Sequence, residues 1–253
     1  MAELLVKPMV ATIPASIGVT NPNNLLNERL GRAGIFLTGS DRIDVDLGSP
    51  QLIDTVALLA TDAGADVTWR LFGSNSPSFT TTPLSIGLEP FASSDALKRV
   101  HRQGLRTFTP ISVQYLRIFV NTPVDMAAGR LVVGKRFEPI EQRDYEWDYR
   151  VVDLGENRRS ANGIDDPTIR GKVMEYSWNW SGLTKAEARG TLLDLLAYAG
   201  NTRDLLVCLD DAADDKHNLI GYGKLPDPVV VPNIAEDWYE AKFTLQSRLV
   251  LSL

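Results

Sequence analysis

Short runs of alternating apolar and polar residues, cut by Gly, Pro, Asn and Asp, dominate the first half of the chain. Ile43-Asp44-Val45-Asp46-Leu47 alternates with period two and is followed by Gly48-Ser49-Pro50, where a turn is expected. Residues 52–60 form a more continuous apolar run with β-branched side chains, as in a buried strand. Val67-Thr68-Trp69-Arg70-Leu71 alternates again and ends at Gly73. Across residues 113–120, Leu116, Ile118 and Val120 fall on one face and Tyr115 and Arg117 on the other; Leu131-Val132-Val133 follows and closes at Gly134. Period two at this spacing predicts an all-β sandwich or barrel. Residues 75–109 are polar and turn-rich and read as loop, with a short helix expected over 94–101. Loops on such a scaffold are where binding takes place.

After Phe137 the pattern changes. Phe137, Tyr145, Trp147 and Tyr149 come close together, and residues 155–171 are polar and Gly-rich, which predicts a long exposed loop. Met174, Tyr176, Trp178 and Trp180 then alternate with Glu175, Ser177 and Asn179, predicting a strand with one aromatic and one polar face. Thr184-Lys185-Ala186-Glu187 fits a capping box. Ala188, Leu192, Leu195, Leu196 and Ala199 recur at helical spacing, and Gly200 sits where a helix stops, so one helix is expected near 184–199. Strands are expected over 204–209, 219–225 and 239–246. The expected fold is mostly β: a sandwich or barrel in residues 1–136, and in 137–253 a β-sheet or barrel domain with one packed α-helix.

The length, 253 residues, allows one large β domain or two ordinary ones. Charge separates the halves: residues 1–136 hold 13 Lys and Arg against 11 Asp and Glu, residues 137–253 hold 13 against 21. The acidic half argues against specific nucleic-acid binding. No run approaches the length of a membrane span, and the N-terminus, with Lys7 and Pro8 breaking its apolar run, is not that of a signal peptide; no membrane insertion is expected. The single cysteine, Cys208, excludes an internal disulfide and, inside an apolar run, reads as a core residue.

Chemistry finds little material. His101 and His217 are far apart and have no ligand-spaced partners. The run from Gly129 to Lys135 matches the start of a phosphate-binding loop, but Arg136 stands where Ser or Thr would hold magnesium, and strand formers replace the helix such a loop needs. Asp210, Asp211, Asp214 and Asp215 lack the spacing of a calcium loop and read as a solvated turn. Asp44 and Asp46 read as the polar face of a half-buried strand, and Tyr176, Trp178 and Trp180 as core beneath the helix, with a sugar-stacking platform as the alternative. No catalytic, cofactor-binding or metal-binding residue is nominated, no cofactor is expected, and a glycosidase would need a carboxylate pair that nothing here marks. The chain is expected not to be an enzyme.

Ile43-Asp44-Val45-Asp46-Leu47-Gly48, then Ile53-Asp54-Thr55-Val56-Ala57-Leu58, then Trp69-Arg70-Leu71-Phe72-Gly73-Ser74-Asn75-Ser76-Pro77 and Tyr115-Leu116-Arg117-Ile118 together resemble the discoidin (coagulation factor type C) family over residues 20–136, which implies a jelly-roll β-sandwich for residues 1–136. Many members carry an Asp-Gly-Asn segment that shapes a calcium site; residues 28–40 have none, so neither calcium nor any ligand contact is carried over. With Asn24-Leu25-Leu26-Asn27 upstream and Lys135-Arg136-Phe137-Glu138-Pro139 downstream, and with Tyr145-Glu146-Trp147, the aromatic strand and the Leu-rich helix, the chain is similar to structural proteins of tailed bacteriophages. Its second half resembles the sheet-plus-helix unit of tail-tube and distal-tail proteins, which form rings around the DNA channel. The resemblance implies a tail-tip or baseplate ring protein, homo-oligomeric, with sixfold symmetry expected ahead of threefold. It would contact other tail proteins, be assembled in the host cytoplasm and reside in the virion tail. Residues 155–171, too long for a simple connector, are the expected inter-subunit or inter-ring contact. The alternative is a carbohydrate-binding module that recognises a host surface glycan through loops in 75–109.

Overall fold

The computed structural model describes residues 3–91, 102–141, 147–159, 165–168, 170–213 and 216–251. Its strands are, in chain order, β1 (Leu4–Val6), β2 (Thr12–Ile17), β3 (Val19–Thr20), β4 (Gly34–Phe36), β5 (Gly39–Thr61), β6 (Thr68–Ser74), β7 (Leu84–Pro90), β8 (Arg102–Thr122), β9 (Met126–Ala128), β10 (Arg130–Gly134), β11 (Arg136–Phe137), β12 (Trp147–Asp153), β13 (Glu156–Arg159), β14 (Asp165–Thr168), β15 (Lys172–Thr184), β16 (Leu205–Cys208), β17 (Ile220–Lys224), β18 (Asn233–Ala235) and β19 (Trp238–Leu251). The α-helix α1 (Leu192–Ala199) lies between β15 and β16. The fold is mostly β, and every strand pairing described is antiparallel.

The chain divides into two compact units, one of Met1–Glu138 with Leu206–Ile220, the other of Pro139–Leu205 with Gly221–Leu253. A single cut at 136/137 leaves the returning segment Leu206–Ile220 on the wrong side. It joins the first unit because Leu206, Val207 and Cys208 pair with Val6, Leu5 and Leu4 of β1, whose other edge pairs with β11.

The first unit is a β-sandwich. One sheet runs β10-β5-β8-β6-β7, with β2 added on β5; the other is β3-β4-β9. Ile43, Val45 and Leu47 of β5, Leu116, Ile118 and Val120 of β8 and Trp69 and Leu71 of β6 point inward and meet Phe36, Met126 and Ala128 of the smaller sheet. Their neighbours Arg42, Asp44, Asp46, Tyr115, Arg117, Phe119, Arg70 and Phe72 are half-buried on the opposite face. The period-two pattern therefore reads out directly as inside and outside. Gly48-Ser49-Pro50 does not end the strand: β5 passes through it with a register shift between Asp46 and Gln51, and Gly48 takes a φ of 79°. Residues 53–59 are buried throughout, because β10 covers this part of β5 on the edge away from β8. Within that run Asp54 is satisfied, accepting from Thr55 Oγ1 (2.8 Å) and the Arg136 backbone N–H (2.8 Å). Residues 75–109 are not one loop, since β7 and the start of β8 fall within them; the helix expected over 94–101 lies outside the described residues.

In the second unit the strands run β17-β19-β15-β12, with β18 on β19. β15 pairs with β19 along most of its length and carries the aromatic stripe: Tyr176, Trp178 and Trp180 are each 2% exposed. Trp178 stacks on Phe243 of β19 (centroids 4.9 Å, planes 6° apart), and Trp180 meets the same ring edge-on at 4.7 Å. The stripe is core. Gly223 of β17 is fixed by the approach of β19, since a Cβ there would lie 1.9 Å from the Gln246 carbonyl oxygen. The capping box forms as expected: Glu187 Oε2 accepts from the Thr184 N–H (2.9 Å) and hydroxyl (2.6 Å), and Thr184 Oγ1 accepts from the Glu187 N–H (3.3 Å). Helix runs from Lys185 to Ala199, but its Glu187–Thr191 turn is wound as a π-helix before α1 proper. Residues 155–171 are not a plain loop: β13 and β14 pair from Glu156↔Thr168 to Arg159↔Asp165, extending the β12–β15 hairpin.

Candidate functional site

The outer face of the sandwich's larger sheet concentrates the polar and aromatic chemistry of the first unit. Register places Asp44 of β5, Arg117 of β8 and Phe72 of β6 in one cross-strand row, and Arg42, Phe119 and Arg70 in the next. Arg117 donates two bonds to Asp44, Nε to Oδ1 at 2.8 Å and Nη2 to Oδ2 at 2.9 Å, a fork-on-fork pair that fixes both groups. Arg42 Nε adds a contact to Asp44 Oδ1 at 3.5 Å. Beside them, Gln114 Nε2 donates to Asp46 Oδ1 (3.2 Å) and to Tyr115 Oη (3.0 Å).

An aromatic ring is held over this row from outside the sheet. The turn after β6 is organised by its own side chains: Ser76 N–H bonds Ser74 Oγ (3.0 Å), Asn75 Oδ1 accepts from the Gln114 N–H (3.0 Å), and Phe79 N–H bonds the Ser76 carbonyl (3.0 Å). This sets Phe79 at a φ of 53°, the left-handed region that bulky residues avoid, and the Arg117 guanidinium lies 4.0 Å from its ring centre. Such a conformation costs of order 1–3 kcal/mol and persists where the surroundings impose it, often at binding sites. In the next row Arg70 lies 4.4 Å from the Phe119 ring centre and 5.6 Å from that of Phe72, and no carboxylate pairs with it among the described residues.

Chemically, the face offers a planar carboxylate–guanidinium pair, an amide, a phenol and an aromatic ring within one surface. Planar bidentate groups bind neighbouring hydroxyls, and an aromatic face packs against C–H bonds. Asp44 and Asp46 were legible in the sequence only as a polar strand face. Their partner Arg117 is 73 residues from Asp44, and no local spacing connects them.

The remaining sequence candidates resolve individually. The Gly129–Lys135 run is strand, β10, and Arg136 beside it is an ion-pair hub: Nε lies 3.2 Å from Glu138 Oε2 and 3.9 Å from Asp54 Oδ2, and Nη1 3.6 Å from Asp211 Oδ2. Asp210 accepts from the Ala212 N–H and Asp211 from the Thr107 hydroxyl; Asp214 and Asp215 lie outside the described residues. Among the described residues no three His, Cys, Asp or Glu come together as a metal site. Cys208 is fully buried, and burial pushes its thiol up to about 12, leaving it inert as a nucleophile at neutral pH. His217 is buried, and His101 lies outside the described residues. Among the described residues no helix is long and apolar enough to cross a membrane.

No family model and no curated protein matches the chain. Similar solved structures are carbohydrate-binding modules. CBM32-1 from a family 31 glycoside hydrolase of Clostridium perfringens is 14% identical, covering 51% of this chain and 96% of its own, at a TM-score of 0.39. CBM32-3 from a family 31 glycoside hydrolase of the same organism is 10% identical, over 49% and 90%, at 0.41. The CBM32 of AlyQ, in complex with 4,5-unsaturated mannuronic acid, is 16% identical, over 51% and 96%, at 0.36. The likeness is weak and covers half of the chain, and no ligand is carried over from it.

Proposed function

We propose that the first unit binds a saccharide on the outer face of its larger sheet, without catalysis. The observation that carries this reading is Phe79, held at positive φ beside an Arg117 already locked to Asp44. The ring supplies a stacking surface, Asp44, Arg117 and Gln114 supply planar polar groups, and Arg70, with no carboxylate partner among the described residues, supplies a seat for a uronic-acid carboxylate. The test is an array of neutral and uronic-acid oligosaccharides, followed by calorimetric titration of any hit. Phe79→Gly relieves the backbone strain, so its melting temperature should hold or rise while affinity falls about tenfold or more, roughly 1.4 kcal/mol. Arg117→Ala should lose affinity likewise. An array without a hit, or a Phe79→Gly variant that binds as the parent does, overturns the reading.

A second reading is a ring-forming component of a tailed-bacteriophage tail tip, resident in the virion. Two features support it: the resemblance carried by the Tyr145-Glu146-Trp147 motif, the aromatic strand and the helix, and the hairpin that β13 and β14 add to β12 and β15, which suits contact with a neighbouring subunit. Imaging of the purified chain should then show six or three copies around a central hole. Particles without a hole, at concentrations where the chain associates, overturn it.

A further inference from the structure

Among the described residues the second unit ends on an unpaired strand edge. β12 is the last strand on its side, pairing with β15 in unbroken register from Trp147↔Trp178 to Asp153↔Lys172. Natural edge strands are blunted by Pro, bulges, charged side chains or short length. β12 has seven residues, no Pro and no register shift. Two of its apolar residues also lie exposed. Trp147, Tyr149 and Val151 share the face that carries Trp178, Tyr176 and Met174 on β15, yet Tyr149 is 51% and Val151 56% exposed. The half-buried Trp147 and the exposed Tyr149 stack as a pair (centroids 6.1 Å, planes 21° apart), so the row is ordered. The other face of the strand carries Asp148 and Arg150, and Arg150 is ion-paired to Glu175 of β15.

We propose that β12 pairs with β12 of a second copy of this chain, antiparallel, about a two-fold axis at Tyr149. The argument is charge and face complementarity. In an antiparallel pair, residues directly opposite share a face. Centred on Tyr149, the register sets Asp148 against Arg150 and Arg150 against Asp148 on the polar face. On the apolar face it sets Trp147 against Val151, Tyr149 against Tyr149 and Val151 against Trp147. The polar rows then alternate in sign across the joined sheets, Glu175, Arg150, Asp148. The alternatives fail on the same criterion: centring on Arg150 opposes two arginines, centring on Val151 sets Tyr149 against Asp153, and half-step registers put the two apolar faces on opposite sides. A two-fold pairing is isologous and does not itself close a ring of six or three.

The chain's only cysteine, Cys208, is fully buried, so cysteine cross-linking reads the register without interference. Tyr149→Cys in the full chain should oxidise to a covalent dimer, since residues opposite each other on the axis lie about 4.5–5.5 Å apart at Cα, within disulfide reach. Val151→Cys should not, because its own copy lies roughly 13 Å away along the two strands. By sedimentation, Asp148→Arg and Arg150→Asp should each weaken dimerisation about tenfold, and the double exchange should restore it to within about threefold. A monomer at all concentrations, a Val151→Cys dimer in place of the Tyr149→Cys one, or a double exchange no better than the singles overturns the proposal. So do rings in which Tyr149→Cys fails to cross-link.

Discussion

At Asp41 a single carboxylate carries a cost that pH can expose. It is 4% exposed, its Oδ2 has no partner, and burial, aided by the nearby charge of Asp125, raises its pKa above the ordinary 3.8 against the lowering effect of a bond from the Leu37 backbone. A carboxyl raised in the fold binds its proton more tightly there than in the unfolded chain. Its contribution to stability is complete below the unfolded value and is lost as pH rises through the folded one. At neutral pH the buried charge therefore opposes folding. Asp41→Asn keeps an acceptor for the backbone bond and removes the charge, so thermal denaturation should show a higher melting temperature near pH 7 and little difference near pH 3. Phe79 belongs to the same scale: its ring was visible in the sequence, but its positive φ follows from the Ser74–Ser76 and Ser76–Phe79 bonds of the turn. The residue name gives no sign of that conformation, because Phe is not a residue that favours it.

The helix was the most legible element, and for a local reason. Thr184 and Glu187 lie within one turn, and the bonds that define the cap are made between them, with Glu187 Oε1 also accepting the Ile140 N–H at 2.8 Å. Thr184→Ala should cost about 1 kcal/mol in denaturant unfolding without changing the m-value. If it costs nothing, Glu187 alone caps the helix. The strands were legible as periods, though not in their extents. β5 runs for 23 residues through Gly48-Ser49-Pro50, because its partner β8 continues alongside and a shifted register absorbs the turn residues. The polar, Gly-rich stretch after β12 read as loop, yet β13 and β14 pair within it; a two-stranded arm needs only backbone partners, and these leave no apolar periodicity.

For the molecule as a whole, the returning segment Leu206–Ile220 marks what a linear division misses. A chain ending at Glu138 would strip Leu4, Leu5 and Val6, all fully buried, of their partners on β16, and would remove Asp211 from Thr107 and Arg136. Its melting temperature should fall well below that of the first unit in the full chain; an unchanged transition would mean that the segment is dispensable. What the sequence determined by itself was whatever depends on neighbours a few residues apart: the alternation that sorts Ile43, Val45 and Leu47 from Arg42, Asp44 and Asp46, the capping box, and the aromatic stripe that became core. Tertiary structure alone decided the rest. It set Arg117 on Asp44, placed the Phe79 ring against Arg117, brought residues 206–208 back to β1, and left Tyr149 and Val151 of β12 exposed while burying Tyr176 and Met174 beside them on β15. Strand pairing joins residues at any separation along the chain, so the partners of a face are fixed by register and strand order, and no local pattern records either.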